Sequence, residues 1–285
     1  MKKRNRPVVN NTPTYSIGDS FDDAVWSLET IAFENPPVGG NAKRFFGTGF
    51  LFKREGIFRG KIKTKYFLVS NKHVLVEDSP SILVLHLPPQ GNHPASRYQL
   101  FPSLNSSKKK AGKYKDFLQD VVYPDDATDL AVVDVTEKIK ELQENLAYRE
   151  FTFKTINPRN IPMSFDLPKG TPMEYLGYPD RSAHPRLRKG SIGLNPQETN
   201  SNNIALDDVS VAQGASGSPA FTFVGNSSHP KLLGIVYGTQ STQIVEGHSQ
   251  FDQGHAVKST ILTELTNEIL RSQGYKSKAI NKFYF

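Results

Sequence analysis

The residues with the most chemistry to offer lie in Ala212-Gln213-Gly214-Ala215-Ser216-Gly217-Ser218-Pro219. A serine hydroxyl is a poor nucleophile until a base takes its proton and a turn holds it exposed. Gly-x-Ser-Gly supplies such a turn. Gly214 can adopt backbone angles closed to other residues, and Gly217 leaves the space beside the hydroxyl open. The N–H groups of Gly214 and Ser216 could then converge on one point as an oxyanion hole. Alone, the octapeptide reads equally well as an ordinary Gly/Ser loop, so the chemistry depends on a histidine and an acid upstream. His73, in Leu68-Val69-Ser70-Asn71-Lys72-His73-Val74, follows a run of strong strand formers that would hold an imidazole rigidly over a cleft. Asp129, in Thr128-Asp129-Leu130-Ala131-Val132-Val133, is a carboxylate just ahead of a buried-looking strand. Spacing leaves Asp125, Asp126 and Asp134 as rivals to Asp129, although Asp134 lies inside the apolar run. Ser218 rivals Ser216, but Pro219 and a missing glycine on its far side spoil the turn. His86, His93, His184, His229, His248 and His255 are single histidines outside this pattern.

These side chains need a scaffold of short strands. Val25–Phe33, 44–52, 65–70, 81–87, 97–101 and 130–135 are dense in strand formers and bounded by turn residues. Strands resume at 150–155, 172–177, 187–192, 203–206, 220–224 and 232–237. Thr136 to Ala147 differs, alternating Glu and Lys with Ile139, Leu142 and Leu146, and reads as a short helical crossover. A last helix is expected after Ser259 as cap, with Ile261, Leu262, Leu265, Ile269 and Leu270 on one face and Gly274 as the stop. So many short strands without βα alternation predict an all-β architecture in two halves that meet near residues 136–147.

Composition narrows the function classes. At 285 residues, 37% hydrophobic and 22% charged, the chain is long and apolar enough to bury a large core. It has no cysteine, which excludes disulfide staples and thiol or Cys-based zinc chemistry. The basic start, Met1-Lys2-Lys3-Arg4-Asn5-Arg6-Pro7, leads into no apolar segment, and no run approaches a membrane span; a cytoplasmic setting is expected. No His-x-x-x-His or comparable carboxylate cluster calls for a metal, and no cofactor is expected. The net charge of +7 gathers in the N-terminal arm and at Lys108-Lys109-Lys110, Lys113 and Lys115. No aromatics interleave with those lysines, so they read as solvated segments rather than a nucleic-acid platform.

On these segments the chain resembles the trypsin-like (chymotrypsin-fold) serine peptidases. It is most similar to the disulfide-free bacterial branch that includes HtrA peptidase domains and staphylococcal glutamyl endopeptidases. Gly47-Thr48-Gly49-Phe50 with the strand into His73, Asp129-Leu130-Ala131-Val132-Val133, Gly177-Tyr178-Pro179, Arg188-Lys189-Gly190-Ser191-Ile192, the Ser216 turn and Leu233-Gly234-Ile235-Val236-Tyr237-Gly238 carry the likeness. It implies two perpendicular six-stranded antiparallel β-barrels with a C-terminal α-helix and an active site between the barrels. The bounds would be a flexible arm over 1–19, a first barrel over about 20–135, a crossover over 136–149, a second barrel over about 150–257 and a helix and tail over 258–285. It further implies that Ser216 attacks a scissile carbonyl, His73 relays the proton, Asp129 fixes the imidazole, and the N–H groups of Gly214 and Ser216 bind the oxyanion.

Departures from the pattern matter as much. Secreted digestive members place Asp just before the serine to pair with a new N-terminus freed by cleavage, and here that residue is Ala215. Control by a partner protein or a ligand is expected instead, as in a bacterial stress or antiviral-defence system. Ser210 stands where trypsin has the acid that selects Arg or Lys, and Val236 where glutamyl-specific relatives have His. Ser210, Val211, Gln213, Val236, Tyr237, Gly238 and Thr239 are the expected substrate-binding residues, shaping a neutral, moderately apolar pocket for a protein or peptide. The aromatic end, Tyr275 to Phe285, is expected to pack on the second barrel.

Overall fold

The computed structural model describes residues 21–33, 42–75, 81–87, 96–101, 121–125, 127–145, 153–179, 182, 184–197, 201–207, 211–224, 229–240 and 253–277. The arm over 1–19, the lysines of 108–115 and the tail past residue 277 lie outside them. A 3-10 turn, Asp22–Ala24, leads into β1 (Val25–Phe33), followed by β2 (Ala42–Phe58), β3 (Lys61–Ser70) and a single helical turn α1 (Lys72–Leu75). Then come β4 (Ser81–Leu87), β5 (Ser96–Phe101), β6 (Val121–Val122), β7 (Ala131–Asp134) and α2 (Thr136–Glu144). The second half holds β8 (Pro172–Gly177), β9 (Arg186–Ile192), β10 (Asn203–Asp207), β11 (Pro219–Thr222), β12 (Lys231–Gln240), β13 (Gln253–Lys258), α3 (Ser259–Ser272) and β14 (Lys276–Ser277).

The strands make two sheets. The second lobe closes as a six-stranded barrel in the order β10-β13-β12-β11-β8-β9, with the ring completed where Leu206 pairs Ile192. The first lobe strings seven strands along one path, β5-β4-β1-β2-β3-β7-β6, with β14 added to β2; among the described residues this path does not close into a ring. Every strand pair named here is antiparallel, so alternate residues face inward. Leu28, Leu51, Leu68, Leu83, Leu85 and Val133 fill the first lobe, and Tyr175, Ile192, Leu206, Ala220, Leu233 and Val236 the second. A third cluster joins the lobes: Phe50, Phe52 and Val69 of the first meet Phe221, Ile235 and Val257 of the second under Leu262, Leu265 and Ile269 of α3.

Four details differ from the sequence-based expectation. The start of the aromatic end joins the first lobe, not the second barrel, with Lys276 and Ser277 pairing Ile57 and Gly56 and Tyr275 against Phe58. β2 and β3 are one long hairpin, turning through Arg59 (φ 49°) and Gly60 (φ 77°), the left-handed pair that a tight two-residue turn needs. Residues 153–155 form no strand; only Ile156 bridges to Phe52. Ser259 is the first residue of α3 and not its cap, because its hydroxyl donates to Leu232 O at 2.6 Å in β12. Gly274 (φ 81°) does stop the helix, and Tyr275 N–H returns to Leu270 O at 2.9 Å. Beneath α3, Arg54 is 5% exposed; its Nη2 donates to Asn267 Oδ1, while Nε and Nη1 have no partner. That burial pushes the guanidinium down to about 10.

Candidate active site

The acid–base half is built by the end of β3 and the approach to β7. The end of β3 is fully buried through Leu68 and Val69, and the chain leaves the sheet at Ser70 to make the single turn α1. That turn carries His73 to the surface, with half of its side chain (51%) exposed. One carboxylate receives it twice: the imidazole Nδ1 lies 2.6 Å from Asp129 Oδ2, and the His73 backbone N–H donates to Oδ1 at 3.1 Å. A carboxylate only accepts, so this contact places the ring proton on Nδ1 and leaves Nε2 with a lone pair facing away from Asp129. Asn71, fully buried, ties the same segment from below by donating Nδ2–H to Asp129 O at 2.7 Å. Asp125 shapes the approach by accepting the N–H groups of Ala127 (2.9 Å) and Thr128 (2.6 Å). Hydrogen bonds from Thr128 hold the Asp125 carboxyl below its ordinary value.

The nucleophile half is a backbone lattice. Gly214 (φ 87°) and Gly217 (φ 90°) both take left-handed angles, so the turn does need its two glycines. A Cβ on Gly217 would run into Thr48 O and Ser70 Oγ, which makes that glycine a packing requirement too. Within the turn, Ala215 N–H donates to Ala212 O (3.0 Å), Gly217 N–H to Val236 O (2.7 Å) and Ser218 N–H to Ala215 O (3.0 Å). Between Gly214 and Ser218 the amides without a partner among the described residues are those of Gly214 and Ser216; the Ala212 and Gln213 amides, just before the turn, have none either. Preorganised free donors are what a developing oxyanion requires. Gly47 sits between the halves: a Cβ there would lie 2.6 Å from the side chain of Val74, next to His73, and 3.2 Å from Ser216 O. No hydrogen bond joins His73 to the Ser216 hydroxyl; such contacts are often long in unliganded sites and tighten around substrate.

The rivals separate by environment. Ser218 is fully buried, its hydroxyl closed in against Gly177 without a partner, whereas Ser216 is partly exposed. Asp134 is engaged by Lys65 Nζ and the Thr136 hydroxyl, both at 2.6 Å. Burial alone would raise its carboxyl, and those two hydrogen bonds outweigh it and hold the group below its ordinary value. Asp126 and Ser210 lie outside the described residues. Of the other expected substrate-binding residues, Gln213 is exposed, Val211 packs on the second-lobe core, and Val236 is inside that core. Gly238 and Thr239 continue β12 opposite His255 and Gly254, past an irregularity at Tyr237. Tyr237 stacks on His255 at 5.9 Å; burial raises its phenol, and the negative charge of Asp129 raises it further. Burial also pushes His255 down. Thr48, Ser70 and Asn71 are the site residues that the sequence left unremarked. A polar residue within or just after an apolar strand was their only signal.

The fold defines a two-lobed, mostly β protein of the trypsin type. The trypsin-like peptidase domain model matches residues 47–227, and the chain belongs to that family. The matched span starts at Gly47 and takes in His73, Asp129 and Ser216. No curated protein matches the chain. Among the described residues no helix is long and apolar enough to cross a membrane, and no three His, Asp or Glu residues gather as a metal site would require.

Proposed function

We propose that the chain is an intracellular serine endopeptidase that hydrolyses peptide bonds through Ser216, His73 and Asp129. The observation that carries this reading is the pairing of a His73–Asp129 contact at 2.6 Å with two unpartnered amides flanking a partly exposed serine in a left-handed turn. In the reaction, Ser216 Oγ attacks the scissile carbonyl while His73 Nε2 takes its proton. The carbonyl oxygen, now negative, is received by the N–H groups of Gly214 and Ser216. Asp129 holds the imidazole in the Nδ1–H form and stabilises it once charged; the imidazolium then gives its proton to the leaving amine, and water repeats the sequence on the acyl-enzyme. Tyr237 and the end of β12 are where the substrate backbone would lie, with Ser210, Val211 and Gln213 as further substrate-binding residues.

Ala215 cannot form the ion pair that arms cleaved zymogens, so control falls to a partner or ligand. A stand-alone peptidase of a bacterial stress or defence system is the setting that suits such control. A fluorophosphonate probe tests the chemistry: wild type becomes covalently labelled and Ser216→Ala does not. Wild type that resists the probe under every condition would overturn the reading in favour of a silent fold used for binding. Activity that appears only after removal of residues 1–19 would overturn control without trimming.

A further inference from the structure

We propose that Thr48 is the positioning residue that holds the nucleophile turn in working shape, doing from the first lobe what Ala215 cannot do from within the turn. The proposal rests on the peptidase reading above. Thr48 is fully buried in β2, far from the turn in sequence, yet it grips two of the turn's carbonyls. Its hydroxyl donates to Gly214 O at 2.8 Å and its backbone N–H donates to Ser216 O at 2.7 Å. The direction of the hydroxyl is set by a third bond, because Tyr178 N–H donates to Thr48 Oγ1 at 2.9 Å and leaves the lone proton for Gly214.

The effect follows from peptide planarity. Gly214 O lies in the 214–215 plane, whose N–H is already bonded to Ala212 O. Ser216 O lies in the 216–217 plane, whose N–H is already bonded to Val236 O. Thr48 thus makes each plane fast at both ends, and the plane between them, which carries the free Ser216 N–H, is held at Ala215 O by Ser218 N–H and aimed by its two neighbours. The other free amide, Gly214 N–H, belongs to the 213–214 plane, which makes no backbone hydrogen bond of its own and is set by the Gln213 torsions on one side and the Gly214 torsions on the other. Releasing Gly214 O frees the Gly214 torsions first, so the loss of one hydroxyl lets one oxyanion donor rotate away. The grip also reaches the base: Ser70, three residues before His73, donates its hydroxyl to Thr48 O at 2.6 Å, and Gly217 packs onto that same carbonyl. The hydrogen-bond chain Ser70–Thr48–Gly214 and Ser216 therefore sets the two lobes, and with them base and nucleophile, in register.

Thr48→Val keeps the shape and removes the hydroxyl, while Thr48→Ser keeps the hydroxyl and removes a methyl. Measured on the full chain, Thr48→Val is expected to slow fluorophosphonate labelling and kcat about 10- to 100-fold with KM little changed. Amide hydrogen exchange over residues 212–219 should quicken at least about tenfold, with other segments unmoved. Thr48→Ser should restore both. Labelling and exchange in Thr48→Val equal to wild type would overturn the proposal, as would a Thr48→Ser variant as slow as Thr48→Val. Should Thr48→Val fail to fold, Thr48→Cys decides: an intermediate rate supports the grip, and a wild-type rate overturns it. If wild type itself resists the probe, the peptidase reading falls, and exchange in Thr48→Val alone decides the grip.

Discussion

The two halves of the site are built in opposite ways. On the first lobe, His73 and Asp129 meet through side chains, and His73 stays half exposed while it does so. On the second lobe, apart from the Ser216 side chain, the working parts are backbone: two free amides, two left-handed glycines, and a ring of buried hydrogen bonds around them. The contrast follows from the work each half would do. A group that takes up and releases protons gains from contact with water, which keeps its charged form accessible. Donors that stabilise a developing charge gain from immobility, since their alignment must not cost reorganisation when the charge appears. Chemistry and stability should therefore separate on one side of the cleft and coincide on the other.

The sharpest way to expose that separation is Asp129→Asn. Loss of the carboxylate that selects the Nδ1–H tautomer should lower kcat about 10³- to 10⁴-fold while the melting temperature hardly moves. Unfolding of the variant on the scale of its lost activity would collapse the distinction. Gly217→Ala tests the other side. Its Cβ would have to enter the space of Thr48 O from a left-handed backbone, so about 2–4 kcal/mol of stability should disappear together with activity, read as melting temperature and probe labelling in one sample. A stable but inactive Gly217→Ala would show that the turn is not a structural keystone. Asn71→Ala lies between them. The buried amide that anchors Asp129 O is removed, and kcat should fall about tenfold with about 1–2 kcal/mol of stability. The smallest effect is expected far from the cleft, where Arg54→Met should raise the melting temperature by a few degrees and leave kcat alone. Its buried guanidinium makes a single hydrogen bond, to a neutral amide oxygen, and an apolar side chain of similar length removes its desolvation cost.

The same contrast explains what could be read before the structure. β1, β4 and β8 were legible to the residue, because a run dense in strand formers and bounded by turn residues is a local property. His73, Asp129 and Ser216 stood out as candidates because their neighbours are strand formers and glycines that advertise how each is presented. The β2–β3 hairpin was cut short, since Lys61 to Lys65 carry no apolar rhythm and Arg59 is not a residue that announces a left-handed turn. β13 went unmarked because Gly254, His255 and Ala256 make a strand only by pairing in the barrel. Thr48 stood in plain view between two glycines, yet the turn carbonyls it holds lie 166 and more positions away. Nothing local distinguishes a threonine that decorates a strand from one that holds a turn.

The short strand β14 carries a consequence for timing. Lys276 and Ser277 complete the edge of β2 at Ile57 and Gly56, so a first-lobe strand waits for residues made roughly 220 positions later. Thr48 likewise cannot meet Gly214 or Ser216 until the second lobe is well advanced. On a ribosome, the chain would display His73 and Asp129 long before any nucleophile stood opposite them. On the proposed reading, base and nucleophile would face each other only once both lobes and the returning strand had been made.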